Sequence, residues 1–174
     1  MKQSDARLRS MVSAALFAAA ITVVTAYFLH IPLPTGGYVH LGDTLIYLAA
    51  CLLPRPYACF AASVGAGLAD LLTAPVWFLP TFVIKSVVVL QFTSKKECLL
   101  CPRNILAVFS TAIVSPVLYS VAFCIMSGSW SLATFVAQFW GTIGQAAISG
   151  LLFLSLSLAF DRLKFKQKLS LQGA

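Results

Sequence analysis

Charged residues are scarce in this sequence, and acidic residues are the scarcest. Only five Asp and Glu residues stand against twelve Lys and Arg, and charged residues make up 10% of the 174 positions. A soluble domain of this length needs a much larger polar surface. Hydrophobic residues make up 60% of the chain and recur in runs long enough to cross a bilayer. The composition therefore predicts an integral membrane protein.

Motifs of common enzyme chemistry are also missing. The sequence contains no Walker-type glycine loop, no Gly-x-Ser-x-Gly elbow and no His-Glu-x-x-His pair. Two of the five cysteines, Cys98 and Cys101, form "CLLC", but the neighbouring sequence offers no further metal ligands. We interpret them as reduced cytosolic thiols and the other three as small packing residues. No catalysis, cofactor or metal is expected.

Six apolar runs predict an all-α, six-helix transmembrane bundle, which forms a single domain over residues 1–174. Breaks rich in Pro, Gly, Ser or charge separate them, and the helices are placed at 11–30, 39–53, 58–73, 78–93, 105–126 and 133–160. The first run follows a basic head and could be a signal peptide, but its length and the spans that follow favour an uncleaved anchor. The basic tail, 161–174, is expected to lie on the lipid surface.

Basic residues alternate between the two ends of the apolar runs. They occur in the N-terminal tail, in the second and fourth connections and after Phe160, whereas the first, third and fifth connections have none. The positive-inside rule then places both termini in the cytoplasm of a multi-pass cell-membrane protein. The same distribution argues that the net charge of +7 is an orientation signal and that the chain does not bind nucleic acid.

Three ionisable residues, Asp43, Asp70 and Lys85, lie within the predicted spans. Each costs about 2.5–3.5 kcal/mol at the centre of a membrane helix if left unpaired. The predicted topology places all three in the outer half of the bundle, so we expect them to share a polar pocket. Two simpler interpretations remain open, namely a structural Asp70–Lys85 ion pair and an Asp43 that only caps helix two. Two carboxylates against one ammonium favour a ligand with a cationic or donor-rich head.

Other polar and aromatic side chains reach the same level of the bundle. They are Tyr38, His40, Trp77, Tyr119, Gln138, Trp140 and Gln145. Each aromatic residue alone could belong to an interfacial belt. Together with the charged residues they predict a concave site for a small, flat, polar organic molecule.

Small residues at four-residue spacing occur in helices one and three. Helix one has the pairs Ala14 and Ala18, and Ala15 and Ala19. Such spacing lets helix backbones approach closely in lipid. For helix three we expect packing within the bundle, and for helix one we expect contact with another membrane protein.

The segment from Tyr38 to Lys85 resembles a known family. The motif "LGD" opens helix two, "GAGLADLL" ends helix three and "PTFVIK" lies on helix four. With the six-helix plan, these are similar to the substrate-binding S components of energy-coupling factor (ECF) vitamin transporters, of the riboflavin-type or a related branch. The resemblance implies capture of a flavin-, pyridoxine- or hydroxymethylpyrimidine-like compound at the outer face, for ATP-driven uptake.

The resemblance also implies partners and roles for residues. S components associate with a transmembrane coupling subunit and two ATPases, and the alanines of helix one would lie against the coupling subunit. The ligand site would include Tyr38, His40, Asp43, Asp70, Trp77, Lys85 and Gln138. From the residues themselves we expect Asp43 and Lys85 to contact the ligand or organise the pocket, with Asp70 mainly pairing with Lys85. A stand-alone ion-coupled carrier, with Asp43 or Asp70 as its proton site, is the main rival, and a membrane scaffold or small membrane enzyme is another.

Overall fold

Helices account for almost all of the regular structure. The computed structural model describes residues 2–28, 31–32 and 38–169, with side chains from residue 4 onward. Its helices are α1 (Lys2–Tyr27), α2 (Gly42–Leu52), α3 (Arg55–Thr73), α4 (Phe78–Gln91), α5 (Pro102–Ser127), α6 (Leu132–Arg162) and α7 (Phe165–Leu169). A short ribbon of β1 (Ile31–Pro32) and β2 (Tyr38–Val39) lies between α1 and α2. The α1 helix also includes the basic head, and α7 lies within the segment predicted as a basic tail. Residues 29–30 of the first predicted helix and 170–174 of the predicted tail lie outside the described residues.

Three helices in the described part of the chain are long and apolar enough to cross a membrane. They span Ser4–Tyr27, Pro102–Ser127 and Leu132–Arg162, while Gly42–Leu52 and Pro75–Gln91 are shorter apolar helical segments. The prediction of an all-α protein with helices long and apolar enough to span a membrane is therefore confirmed. The count of six crossings and the sides of the termini stay predictions.

Helix α2 lies at the centre of the bundle. It contacts α1, α3, α4 and α6, and nearly all of its residues are buried. Near its C-terminal half, the Tyr47 ring stacks on Phe92 at 5.0 Å between centroids and meets Phe153 edge-on at 5.8 Å. This apolar cluster holds α2 in place. The first turn of α2, which carries Asp43, is consequently inside the protein.

Helices α1 and α3 pack at very close range through small residues. A Cβ atom on Gly65 would lie 2.7 Å from the backbone oxygen of Ala18 and 2.9 Å from Cβ of Ile21. The Thr22 hydroxyl also donates a hydrogen bond of 2.9 Å to the Gly65 carbonyl. Close contact of this kind is what small residues at helix interfaces allow. The packing predicted for helix three is observed, with α1 as its partner.

The alanines of α1 do not share one surface. Ala14 and Ala18 are buried against the rest of the bundle, whereas Ala15 and Ala19 are exposed. Burial removes Ala14 and Ala18 from the surface that we predicted for a partner, because their side of α1 already packs on α3. Ala15 and Ala19 remain as candidates.

The segment between α4 and α5 is held by side chains from three helices. Asp161, near the end of α6, accepts hydrogen bonds from the backbone N–H groups of Leu99 at 2.7 Å and Leu100 at 2.9 Å. Lys166 donates to the carbonyls of Ser94 and Lys96, and its partial burial lowers its pKa. Asn104 from α5 bonds the backbone of Thr93 and Leu99. The "CLLC" segment is therefore ordered.

Removing the Asp161 carboxylate is expected to loosen this segment. Hydrogen bonds to a charged group contribute about 1.5–3 kcal/mol each, so Asp161→Ala should open the backbone at Leu99 and Leu100. Cys101, which is 3% exposed, should then react with a maleimide at least about tenfold faster, as followed by mass spectrometry of each cysteine peptide. The exposed Cys98 serves as the internal reference. Asp5→Ala, which removes a carboxylate at an exposed position of α1, is the matched control. Unchanged labelling of Cys101 would contradict this role of Asp161.

Candidate functional site

A buried ion pair joins α2 and α4. Lys85 Nζ lies 2.6 Å from Asp43 Oδ1, and the two side chains are only 1% and 2% exposed. Gln145 from α6 donates to the other oxygen, Asp43 Oδ2, at 2.9 Å. The carboxylate is thus paired and hydrogen-bonded on both oxygens, as a buried charge requires.

This geometry corrects one prediction and excludes one of the open alternatives. Lys85 pairs with Asp43 rather than with Asp70, because the central position of α2 brings its first turn against α4. Asp43 does not cap α2 either. The helix begins at Gly42, so Asp43 lies inside its first turn, and the N-cap residue Leu41 makes no side-chain capping bond.

Gly42 and His40 shape the entry to α2. The Gly42 N–H donates to His40 Nδ1 at 3.0 Å, and His40 Nε2 lies 3.2 Å from Gln145 Nε2. A Cβ atom on Gly42 would overlap the hydroxyl oxygen of Thr25 on α1. The glycine of "LGD" is therefore required for α1 and α2 to meet at this level.

Asp70, near the end of α3, has a different partner. The Tyr38 hydroxyl donates to Asp70 Oδ1 at 2.5 Å, which connects the β-ribbon to α3. Burial, together with the nearby Asp70 carboxylate, raises the pKa of Tyr38 well above its usual value. The phenol thus stays protonated and remains a donor to Asp70 at any physiological pH.

Aromatic side chains form one wall beside these polar groups. The Trp77 ring lies 5.7 Å from Tyr119 and stacks on Phe123 at 6.0 Å. The Tyr119 hydroxyl donates to Thr81 Oγ1 at 3.0 Å. Lys85 Nζ is 5.2 Å from the centroid of the Tyr119 ring, a cation–π distance. Tyr119 of the aromatic wall therefore covers the lysine end of the ion pair.

A cavity of about 40 Å³ lies between the ribbon, the aromatic wall and α6. Seven residues from the predicted site line it: Tyr38, His40, Asp70, Trp77, Tyr119, Gln138 and Gln145. Four lining residues were not predicted: Thr25, Ala66, Thr81 and Thr142.

Three predicted residues do not line this cavity. Asp43 and Lys85 are buried behind it, where Gln145 connects them to the lining. Trp140 is 68% exposed and points away from the bundle. The prediction that Asp43 and Lys85 organise the pocket fits this arrangement better than direct contact with a ligand.

Comparison with known proteins identifies a family to which the chain is similar along most of its length. The model of the family "ECF-type riboflavin transporter, S component" matches residues 6–162. A protein of Pyrococcus woesei, named only as an uncharacterized protein in a gap 3' region, is 43% identical over 67 residues. That alignment covers 38% of this chain and 45% of the relative, so the chain matches less than half of that protein.

Proposed function

This chain belongs to the family of S components of ECF-type riboflavin transporters, and from that premise we propose that its cavity captures a vitamin or vitamin precursor for ATP-driven uptake. The observation that carries the proposal is the cavity itself, which combines an aromatic wall with buried polar groups. Sites for small organic molecules have this composition. A flavin-, pyridoxine- or hydroxymethylpyrimidine-like ring compound would use both features.

The distribution of charge supports a ligand rich in hydrogen-bond donors. Lys85 neutralises Asp43 behind the cavity, so the carboxylate that lines the cavity in the described residues is that of Asp70. No Lys or Arg is among the described lining residues. A negatively charged ligand would meet an acidic wall without a compensating cation, which is unfavourable in a poorly solvated site.

The partners that we propose are the coupling subunit and two ATPases. The sequence has no nucleotide-binding glycine loop, so ATP hydrolysis belongs to the partners. Ala15 and Ala19 form the exposed small-residue stripe of α1 and are the proposed contact with the coupling subunit. The proposal includes a single domain over residues 1–174 with six crossings, both termini in the cytoplasm of a prokaryotic cell and the basic tail against lipid.

An ion-coupled carrier that works alone is the second candidate. The observation that favours it is the pair of buried carboxylates, Asp43 and Asp70, since acidic residues inside membrane proteins often carry protons. The ion pair of Asp43 argues against a proton-carrying role for that residue. Asp70 is then the proton site that this candidate needs.

Reconstitution separates the two candidates. Proteoliposomes containing the chain alone, or the chain with a coupling subunit and ATPases, are tested with riboflavin, pyridoxine and an aminopyrimidine carrying a hydroxymethyl group. We expect accumulation only with the full complex and ATP. Ala15→Leu with Ala19→Leu should abolish uptake but leave binding intact, whereas Ala147→Leu, at an exposed position of α6, should leave both uptake and binding unchanged. Accumulation driven by an ion gradient in the chain alone would overturn the proposal.

A further inference from the structure

Three buried polar atoms at the cavity lack hydrogen-bond partners within the described part of the chain. They are Asp70 Oδ2, Trp77 Nε1 and Gln138 Oε1. All three side chains line the cavity and are at most 4% exposed. Because unpaired polar groups are costly in a protein interior, such atoms at a cavity indicate what a ligand must supply.

The role of each atom follows from its neighbours. The Thr142 hydroxyl donates to the Gln138 backbone oxygen at 3.0 Å, so it accepts from Gln138 Nε2 at 3.3 Å. This orients the amide and leaves Gln138 Oε1 as an acceptor. Asp70 Oδ1 accepts from Tyr38, and although the Thr81 hydroxyl also lies near the Asp70 carboxylate, Oδ2 keeps an open acceptor position. The indole N–H of Trp77 can only donate.

We infer that the cavity selects a single-ring nitrogen heterocycle that carries an amino group and a second donor, in preference to an imide ring such as that of flavin. The inference rests on the proposed function and specifies its substrate. Two protein acceptors require two ligand donors, and one protein donor requires one ligand acceptor. An aminopyrimidine with a hydroxymethyl group supplies the amino N–H, the hydroxyl and a ring nitrogen.

The imide edge of a flavin has the opposite pattern. It presents two carbonyl acceptors on either side of a single N–H. The N–H could bond to either Asp70 or Gln138, so the other of these two acceptors would stay unpaired and face a carbonyl oxygen. Donor and acceptor mismatches in a buried site discriminate strongly, because they leave groups unpaired on both sides. The amino group, which can also share positive charge with a ring nitrogen, suits the Asp70 carboxylate.

The size and walls of the cavity favour a single ring over a tricyclic one. A volume of about 40 Å³ accommodates only a few atoms of the size of water, so any ring must displace part of the lining, and the tricyclic ring of a flavin would displace far more of it than one ring would. Trp77 and Tyr119 provide the aromatic surface against which one planar ring can stack.

Two matched compounds test the inference on the purified full-length chain in detergent. One is the hydroxymethyl aminopyrimidine, and the other is its oxo counterpart, in which a carbonyl and a ring N–H replace the amino group and the adjacent ring nitrogen. Calorimetry should give at least about tenfold tighter binding of the amino compound, the lower end of what one hydrogen bond to a charged group contributes. Riboflavin should bind more weakly than the amino compound.

Variants assign this preference to the three atoms. Asp70→Asn adds a donor at the same place and should bring the amino-to-oxo affinity ratio close to one or reverse it. Gln138→Met removes an acceptor without adding charge and should also lower the amino-to-oxo affinity ratio. This variant tests the inference if Asp70→Asn does not fold. Trp77→Phe should weaken the amino compound about five- to tenfold, whereas Trp130→Phe, at a position 72% exposed, should have no effect.

The results separate this inference from the proposed function. Tighter binding of riboflavin or of the oxo compound overturns the inference, and so does an amino-to-oxo ratio that neither Asp70→Asn nor Gln138→Met changes. A chain that binds none of the three compounds, yet supports ATP-dependent uptake of another vitamin with its partners, also overturns the inference but leaves the proposed function intact. Failure to assemble with any coupling subunit would remove the proposed function.

Discussion

Lys85→Met is expected to destabilise the protein by about 3–5 kcal/mol, because it leaves the Asp43 carboxylate buried without its cation. Methionine fills nearly the same volume as lysine, so the loss reflects the charge rather than a cavity. Gln145 would still donate to Asp43, but the site, which is 2% exposed, would have lost the cation of the ion pair. Equilibrium unfolding in mixed detergent micelles measures the change in free energy.

The matched variants distinguish the ion pair from the lysine alone. Asp43→Asn with Lys85→Met removes both charges and should recover most of the lost stability, since uncharged groups of similar volume often replace a buried pair with little loss. Lys95→Met, at an exposed position, should change the free energy of unfolding by no more than about 0.5 kcal/mol. A Lys85→Met protein as stable as the unaltered chain would contradict the assigned pairing.

Gly65→Ala is expected to destabilise the bundle by about 1–3 kcal/mol, which is the usual cost of overpacking. The added Cβ would lie 2.7 Å from the backbone oxygen of Ala18 and 3.0 Å from its Cα, so α1 itself must move. The hydrogen bond from Thr22 to the Gly65 carbonyl would be strained by the same shift. Thermal unfolding in detergent should show the loss as a lower melting temperature.

Gly144→Ala is the control for helix propensity. A Cβ on Gly144 has no neighbour within 4 Å among the described residues, and alanine is favoured over glycine in a helix by up to about 1 kcal/mol. This variant should therefore be neutral or slightly more stable. Equal melting temperatures for Gly65→Ala and the unaltered chain would contradict the close packing of α1 on α3.

The sequence predicts that a charged residue is buried inside the protein better than it predicts which neighbour that residue meets. Asp43, Asp70 and Lys85 were correctly expected to lie inside the protein, since bare charges in lipid are unfavourable. Their pairing depended on the central position of α2, which follows from packing between distant segments such as Gly65 and Ala18. No local pattern contains that information.

Helical periodicity, by contrast, indicates which residues of α6 face the cavity. On α6 the buried residues Gln138, Thr142, Gln145 and Ser149 follow i, i+4, i+7 and i+11 spacing, whereas Trp140 lies about 200° around the helix from Gln138. This pattern would have identified Thr142 as a lining residue and excluded Trp140. The two alanine pairs of α1 do not by themselves show which pair is buried. Ile21 and Thr25 lie on the same face of the helix as Ala14 and Ala18, and all four are buried.

Fluorescence of Trp77 tests the central claim most directly, namely that the ligand binds in the cavity beside Asp70. The chain has three tryptophans, and Trp130 and Trp140 are exposed, so Trp130→Phe with Trp140→Phe leaves Trp77 as the only reporter. Each vitamin that binds by calorimetry is titrated into this protein. We predict a saturable change in Trp77 emission with the calorimetric affinity, and Asp70→Asn should shift both together. A vitamin that binds by calorimetry but leaves Trp77 emission unchanged would place the binding site elsewhere and contradict the account.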